Sequence, residues 1–263
     1  MSASGPKLPL SVCVITKDEA ANIRACLTAV SAADDIVVVD SGSIDSTVAI
    51  AIECGARVVH QEFLGHVKQK QRAVELARHD WVFCVDADEV ANPELMAALA
   101  REMALPEAKR AAGYEVARHS IYAGKPIDHG GWWPEWRLRL FDRRRGAWGG
   151  KDPHDHVYVE GPVRRLSGEL THYNFRDLAH HVRKIDAYAA IVARRDVEAG
   201  RDFALHKLVL RPPLRFLKMY VWRQGFRDGL RGFILAWMGA FSVFLKYAKT
   251  WERQHGPQEP KSR

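Results

Sequence analysis

The chain has 263 residues, 47% of them hydrophobic, which is enough for a substantial core in one large domain or a domain with an appendage and excludes a disordered chain. Its formal net charge of +7 is unevenly spread: residues 1–175 carry 21 Lys and Arg against 24 Asp and Glu, whereas residues 176–263 carry 18 against 8. Cys13, Cys26, Cys54 and Cys84 show no paired metal-ligand spacing, and the apolar N-terminal run enters Lys17, Asp18 and Glu19 without a signal-peptide layout, so a reducing, cytosolic compartment is expected.

The first half alternates strand and helix. Leu10–Thr16 is apolar and β-branched, Ala20–Ser31 has helical spacing through Ile23, Leu27 and Val30, and Ile36–Asp40 reads as a buried strand. Asp45 or Ser46 can cap a helix that Gly55 stops. Arg57–His60, Val67–Ala77 and Trp81–Val85 then predict strand, helix and strand, and Asn92 before Pro93 opens a further helix. Strands apolar on both faces, alternating with helices, predict an α/β fold with a right-handed, mostly parallel sheet.

Polar groups gather just after these strands, where ligands of open α/β sheets bind. Thr16, Lys17, Asp18 and Glu19 follow the first strand, Asp40, Ser41, Gly42 and Ser43 the second, and Asp86, Asp88 and Glu89 the fourth. Asp86 and Asp88, two residues apart on an extended chain, would point the same way and share a hard cation such as Mg²⁺ or Mn²⁺, which in turn holds a diphosphate. The plain alternative is that Asp88 and Glu89 are solvated loop acids. Asp40 can accept hydrogen bonds from a base or ribose, Gly42 lets backbone approach a ligand, and Lys70, on a basic stretch with His66, Lys68 and Arg72, can face a diphosphate. The chain has no Gly-x-Gly-x-x-Gly after strand one and no Gly-Lys-Ser/Thr, so dinucleotide and P-loop chemistry are not expected.

The series SVCVITKDEAANIRACL, IVVVDSGSIDSTVAIA and WVFCVDADEV resembles the nucleotide-sugar domain of family 2 glycosyltransferases, inverting enzymes with the GT-A fold. The later segments GGWWPEWRLRLFDRRRGAWGGKDPHDHVYVEG and LTHYNFRDLAHHVRKIDAYA are similar to a bacterial subgroup that includes lipopolysaccharide core glucosyltransferases. The resemblance implies a GT-A-like, Rossmann-type domain over residues 1–175, with a donor half near 8–105 and an acceptor half near 106–175. It also implies a UDP-sugar donor, with Asp40 on the nucleobase, Asp86 near the ribose or diphosphate, Asp88 on the metal, and Thr16 and Glu19 lining the pocket. Asp18 stands where many relatives have Asn.

The acceptor half should supply the rest of the site. Trp132, Trp133 and Trp136 around Glu135 can stack on sugar faces, although they serve equally well as core. His154 is the candidate third metal ligand, with a solvated turn as the alternative. Glu135 and Asp155 compete for the role of catalytic base. Burial among tryptophans should raise the Glu135 pKa and favour it, while positive charge near Asp155 should lower that of Asp155.

Residues 176–253 read as a basic, aromatic-rich helical extension, and 254–263 as a polar, mobile tail. Leu178, His181, Val182, Ile185, Tyr188, Ala189, Val192 and Ala193 share one helical face, and Pro212 and Pro213 read as breakers. The apolar stretch Phe233–Leu245 is too short to span a bilayer, which takes about 20 residues, and its cationic flanks suit a helix lying on an anionic membrane. Packing on the catalytic domain or in a homodimer is the alternative. The expectation is a peripheral, cytoplasmic glycosyltransferase of the inner membrane, moving glucose from UDP-glucose to a saccharide or glycolipid acceptor such as the lipopolysaccharide inner core. Transfer to a polyprenyl phosphate, or a non-catalytic basic module, are the other readings. Nucleic acid is not an expected partner, because the cations lie among long apolar stretches.

Overall fold

The computed structural model describes residues 7–151 and 154–256, and it divides into two compact units. The first takes the chain up to Ser120 together with Pro134–Tyr173, and the second takes Ile121–Trp133 together with the chain from Asn174.

The first unit begins with β1 (Leu8–Thr16), α1 (Ile23–Ala29), β2 (Ala33–Asp40), α2 (Thr47–Glu53), β3 (Arg57–His60), α3 (His66–Glu75), β4 (Trp81–Asp86), β5 (Glu89–Ala91) and α4 (Pro93–Ala104). There follow β6 (Gly113–Tyr122), whose last two residues are counted in the second unit, β7 (Lys125–Pro126), wholly of the second unit, and then β8 (Glu135–Asp142), β9 (Gly146–Lys151), β10 (His154–Val159) and β11 (Val163–His172) of the first. The main sheet runs β3-β2-β1-β4-β8-β6-β11-β5. Its first four strands are parallel, as their doubly apolar sequences require, and β8 runs antiparallel between β4 and β6. The fold is α/β, with a mostly parallel sheet and a helical C-terminal region, as the sequence predicts.

Val12, Val14, Val38, Phe83 and Val85 pack under α1 and α4 on one face of the sheet, while Val37, Val39, Val82 and Cys84 face α3 and Trp148 on the other. The Asn92 side chain caps α4 by accepting the Leu95 N–H at 2.8 Å, with Pro93 at the first helical position. α1 begins later than its spacing predicts, because Glu19–Asn22 form a turn closed by Glu19 O accepting from the Asn22 and Ile23 amides. The strand β5 is three residues long and pairs antiparallel with β11, placing Glu89 opposite His172.

The second unit holds α5 (Leu178–Glu198), α6 (Leu205–Leu217) and α7 (Gly229–His255). The Asp177 carboxylate caps α5 through the His180 N–H at 2.6 Å, and the predicted face is buried at His181, Ile185, Ala189 and Ala193 but exposed at Leu178, Val182 and Tyr188. Pro212 and Pro213 lie inside α6 without breaking it. Their missing N–H groups leave the Leu208 and Val209 carbonyls without donors on a helix with no buried residue, where water can serve them. A π turn over Lys218–Trp222 follows.

The apolar stretch expected to be short lies within one continuous helix. The run Gly225–His255 is 31 residues with a mean hydropathy of 1.3, long and apolar enough by length and composition to cross a membrane, with 22% of its apolar window buried. Gln254, assigned to the tail from sequence, lies in α7 and accepts the Phe203 N–H at 2.9 Å. Residues 257–263 lie outside the described residues.

Candidate active site

The loops after β1 and β2 are stitched together by side chains whose short polar arms suit turns. The Asp18 N–H donates to Ser43 Oγ at 2.9 Å, and Asp18 Oδ1 accepts the Ile44 N–H at 2.9 Å. Asp18 sits at φ +54°, a left-handed conformation that Asp and Asn tolerate, and an Asn oxygen would accept the same bond. The Glu19 N–H donates to Thr47 Oγ1 at 2.8 Å, and Glu19 Oε2 accepts from Asn22 at 2.7 Å.

Asp40 is buried and organises its own loop. Its Oδ2 accepts the Gly42 and Ser43 amides at 2.9 and 3.0 Å, and its Oδ1 accepts the Ser43 hydroxyl at 2.5 Å. The glycine is needed there, at φ +85°. Thr16 is buried at the end of β1, and its Oγ1 has no hydrogen-bond partner among the described residues.

The acids after β4 are not solvated loop acids. A turn at Ala87–Asp88 breaks the extended geometry, so Asp86 and Asp88 meet different partners. Lys70 lies 3.0 Å from Asp86 Oδ1, and Arg139 lies 3.0 Å from Asp86 Oδ2. Burial alone would raise the Asp86 pKa, but Lys70 and Arg139 outweigh it and hold the carboxyl well below its ordinary value. Glu89 is 1% exposed, 2.5 Å from Arg139 and 3.5 Å from Arg118, and its Oε2 accepts the Asp86 N–H at 3.0 Å.

Lys70 reaches across to the β9–β10 hairpin. Its Nζ lies 2.8 Å from Asp155 Oδ2 and 4.7 Å from the centre of the Trp148 ring. Burial opposes its charge, yet Asp86 and Asp155 raise its pKa above the usual lysine value. Lys70, Asp86, Arg139, Trp148, Cys84 and Ile15 line a small pocket here. Buried charge is costly unless paired, and each of these ions has an opposite partner.

Glu135 overturns one expectation. Arg118, its register partner on β6, contacts Glu135 Oε2 at 2.9 and 2.5 Å, and Arg137 holds Oε1. Burial pushes the carboxyl up, but the two guanidinium groups outweigh it and the pKa falls instead of rising. The Asp155 pKa is also lowered; burial opposes the shift and Lys70, not a neighbouring histidine, is its main source. Lys70 is the one cation Asp155 pairs with among the described residues.

His172, which sequence reasoning passed over, ends β11 with its Nε2 3.4 Å from Asp88 Oδ2, and both side chains are largely buried. Its Nδ1 is buried with no hydrogen-bond partner among the described residues. One carboxylate and one imidazole are donor types that could hold a divalent cation here. No cluster of three or more His, Cys, Asp or Glu that could hold a metal occurs among the described residues. The His154 backbone opens β10, but its side chain lies outside the described residues.

The tryptophan cluster of the sequence is divided. Trp136 belongs to the first unit, with the Arg165 guanidinium 4.4 Å over its ring, whereas Trp132 belongs to the second and packs edge-on to Phe175 at 6.4 Å. In the turn after β8, Arg143 donates to the Val74 and Ala77 carbonyls and Arg144 binds Asp142 and Glu107, so both are structural. Arg139 is the other residue sequence reasoning missed, and Glu89, named there without a role, is buried in the same ion-pair network. Arg139 lies on the polar side of the alternating strand β8, and that alternation was the signal that could have found it.

Comparison with known proteins places the chain in a family. The lipopolysaccharide core biosynthesis glycosyltransferase LpsC of Rhizobium meliloti is 34% identical over 94% of this chain and 94% of its own length. An uncharacterized glycosyltransferase of Rickettsia typhi is 29% identical over 92% of this chain and 87% of its own. The crystal structure of S. aureus TarS 1–349 in complex with UDP-GlcNAc is 14% identical, covers 94% of this chain and 92% of its own, and superposes with a TM-score of 0.49. Residues 11–161 match the family described as glycosyl transferase family 2, and the chain belongs to that family.

Proposed function

We propose that the protein is an inverting transferase that moves a hexose, glucose from UDP-glucose, onto a saccharide of the lipopolysaccharide inner core at the cytoplasmic face of the inner membrane. The similarity to LpsC supports the acceptor class, and the family resemblance supports the donor. The observation that carries the chemistry is Lys70, held between Asp86 of the donor half and Asp155 of the acceptor half.

In this reading the loop shaped by Asp40 and Gly42 receives the uridine, and Lys70 and Arg139 face the diphosphate. Asp155 is the base in place of Glu135, because both Glu135 oxygens are held by guanidinium groups while Asp155 pairs with a single lysine. The acceptor hydroxyl oxygen attacks the anomeric carbon, its proton passes to Asp155, and the bond to the diphosphate oxygen breaks with its electron pair on UDP. A diphosphate drawing Lys70 away would also free Asp155 to accept that proton. A divalent cation held by Asp88 and His172 would supply positive charge against the leaving diphosphate.

A thermal-shift panel of nucleotide sugars with and without Mn²⁺ or Mg²⁺ tests the reading, since a ligand that binds only the folded state raises its apparent stability. UDP-glucose with the cation should give the largest shift. Equal, negligible shifts for every nucleotide sugar would refute the donor assignment.

A further inference from the structure

α7 is apolar on both faces. Its buried face carries Gly232, Leu235, Ala236, Ala240 and Tyr247, while its exposed face carries Leu230, Phe233, Trp237, Phe241 and Phe244 at spacings of three and four residues. Leu230 is 72% and Trp237 55% exposed. On α6 and the following turn, Leu210, Leu214, Leu217 and Val221 form a second exposed stripe at helical spacing. Phe216 joins the two, with ring centres 5.0 Å from Trp237 and 5.8 Å from Phe233. Such a continuous apolar face is unusual on a surface that meets only water.

Its surroundings are cationic and uncompensated. No Lys or Arg from Lys207 to Arg231 pairs with a carboxylate among the described residues, and Asp228, the one acid of that segment, is taken up by His129 at 2.8 Å. Farther along α7, by contrast, Lys246 and Lys249 pair with Asp196 and Asp186 of α5 at 3.0 and 2.8 Å. These pairs hold the C-terminal half of α7 against a charged helix, so its opposite face is the one left to meet another phase.

We infer that the α6 and α7 stripes lie in the plane of an anionic bilayer, with the apolar residues entering the acyl boundary and the unpaired cations from Lys207 to Arg231 facing lipid phosphates. This rests on the membrane-face placement under the proposed function and gives it a surface and an orientation: α7 lies on the membrane and does not cross it, although it is long enough to do so.

The test is flotation of the full chain with phosphatidylcholine vesicles, with and without phosphatidylglycerol, alongside transfer of glucose to a water-soluble core saccharide. Binding should require phosphatidylglycerol and be reversed by high salt. Trp237→Glu with Phe241→Glu should abolish it, and Lys218→Ala and Arg227→Ala should each weaken it roughly fivefold, all with unchanged transfer to the soluble acceptor. Equal binding to neutral vesicles, retention through salt and alkali, or a stable dimer dissolved by Trp237→Glu would overturn the inference. If wild type fails to float yet transfers glucose, the docking surface is wrong and the catalytic reading stands.

Discussion

Lys70 Nζ stands 2.8 Å from Asp155 and 3.0 Å from Asp86, so one ammonium joins an acid at the end of β4 to an acid on the β9–β10 hairpin. Removing it should be felt at both. Lys70→Met should weaken UDP-sugar binding, and it should raise the Asp155 pKa, because the cation that holds that carboxyl low is gone. The acidic limb of the kcat/KM profile should therefore move to higher pH. A pH profile superimposable on wild type would separate Asp155 from Lys70.

Asp88 and His172 are expected to act together. Asp88→Asn and His172→Ala should each weaken Mn²⁺ binding about 10- to 100-fold or abolish it, read by isothermal titration in the presence of UDP. Asp86→Asn should have a smaller effect on the metal, since Lys70 and Arg139 occupy its carboxylate. Metal affinity lost only in Asp86→Asn would reverse the assignment.

Arg139 balances two acids, the buried Glu89 and the partly buried Asp86. Arg139→Met leaves both without their closest guanidinium and should destabilise the fold by about 3–5 kcal/mol, measurable by urea unfolding. A loss below ~1 kcal/mol would show that the network does not depend on that cation.

Acid should weaken the protein in two stages. His181 is packed between Phe175 and Tyr122, and burial lowers its pKa from 6.5 to about 4. The unfolded chain therefore binds that proton first, and stability should fall as pH drops from above 6.5 towards 4. Asp86 and Asp155 are also shifted downward, from an ordinary 3.8, and Glu135 from 4.5, but here it is neighbouring cations that favour the charged form, so their stabilisation is complete above those values and is lost as pH falls through the lower folded pKa values. Melting curves of His181→Gln should lose the upper stage and keep the lower one.

The parallel half was legible because β1, β2 and β4 are buried on both faces and write themselves as unbroken apolar runs. β5 was not, since a three-residue strand has no period to read, and without it nothing brings His172 to Asp88. Glu135 was found as a carboxylate but misjudged in charge. The tryptophans beside it in sequence suggest an apolar setting, whereas β6–β8 register puts Arg118 directly opposite. The sequence reads α7 as a short apolar segment because its polar C-terminal part is held by ion pairs to α5 that lie far off in sequence.

The most direct test of the catalytic account is single-turnover transfer from radiolabelled UDP-glucose to a truncated lipopolysaccharide core, comparing wild type, Asp155→Asn and Glu135→Gln at equal donor occupancy. The account predicts label on the core saccharide for wild type, a rate lowered about 10²- to 10⁴-fold in Asp155→Asn with donor affinity retained, and a smaller loss in Glu135→Gln. A fully active Asp155→Asn beside an inactive Glu135→Gln, or label appearing only on polyprenyl phosphate, would contradict it.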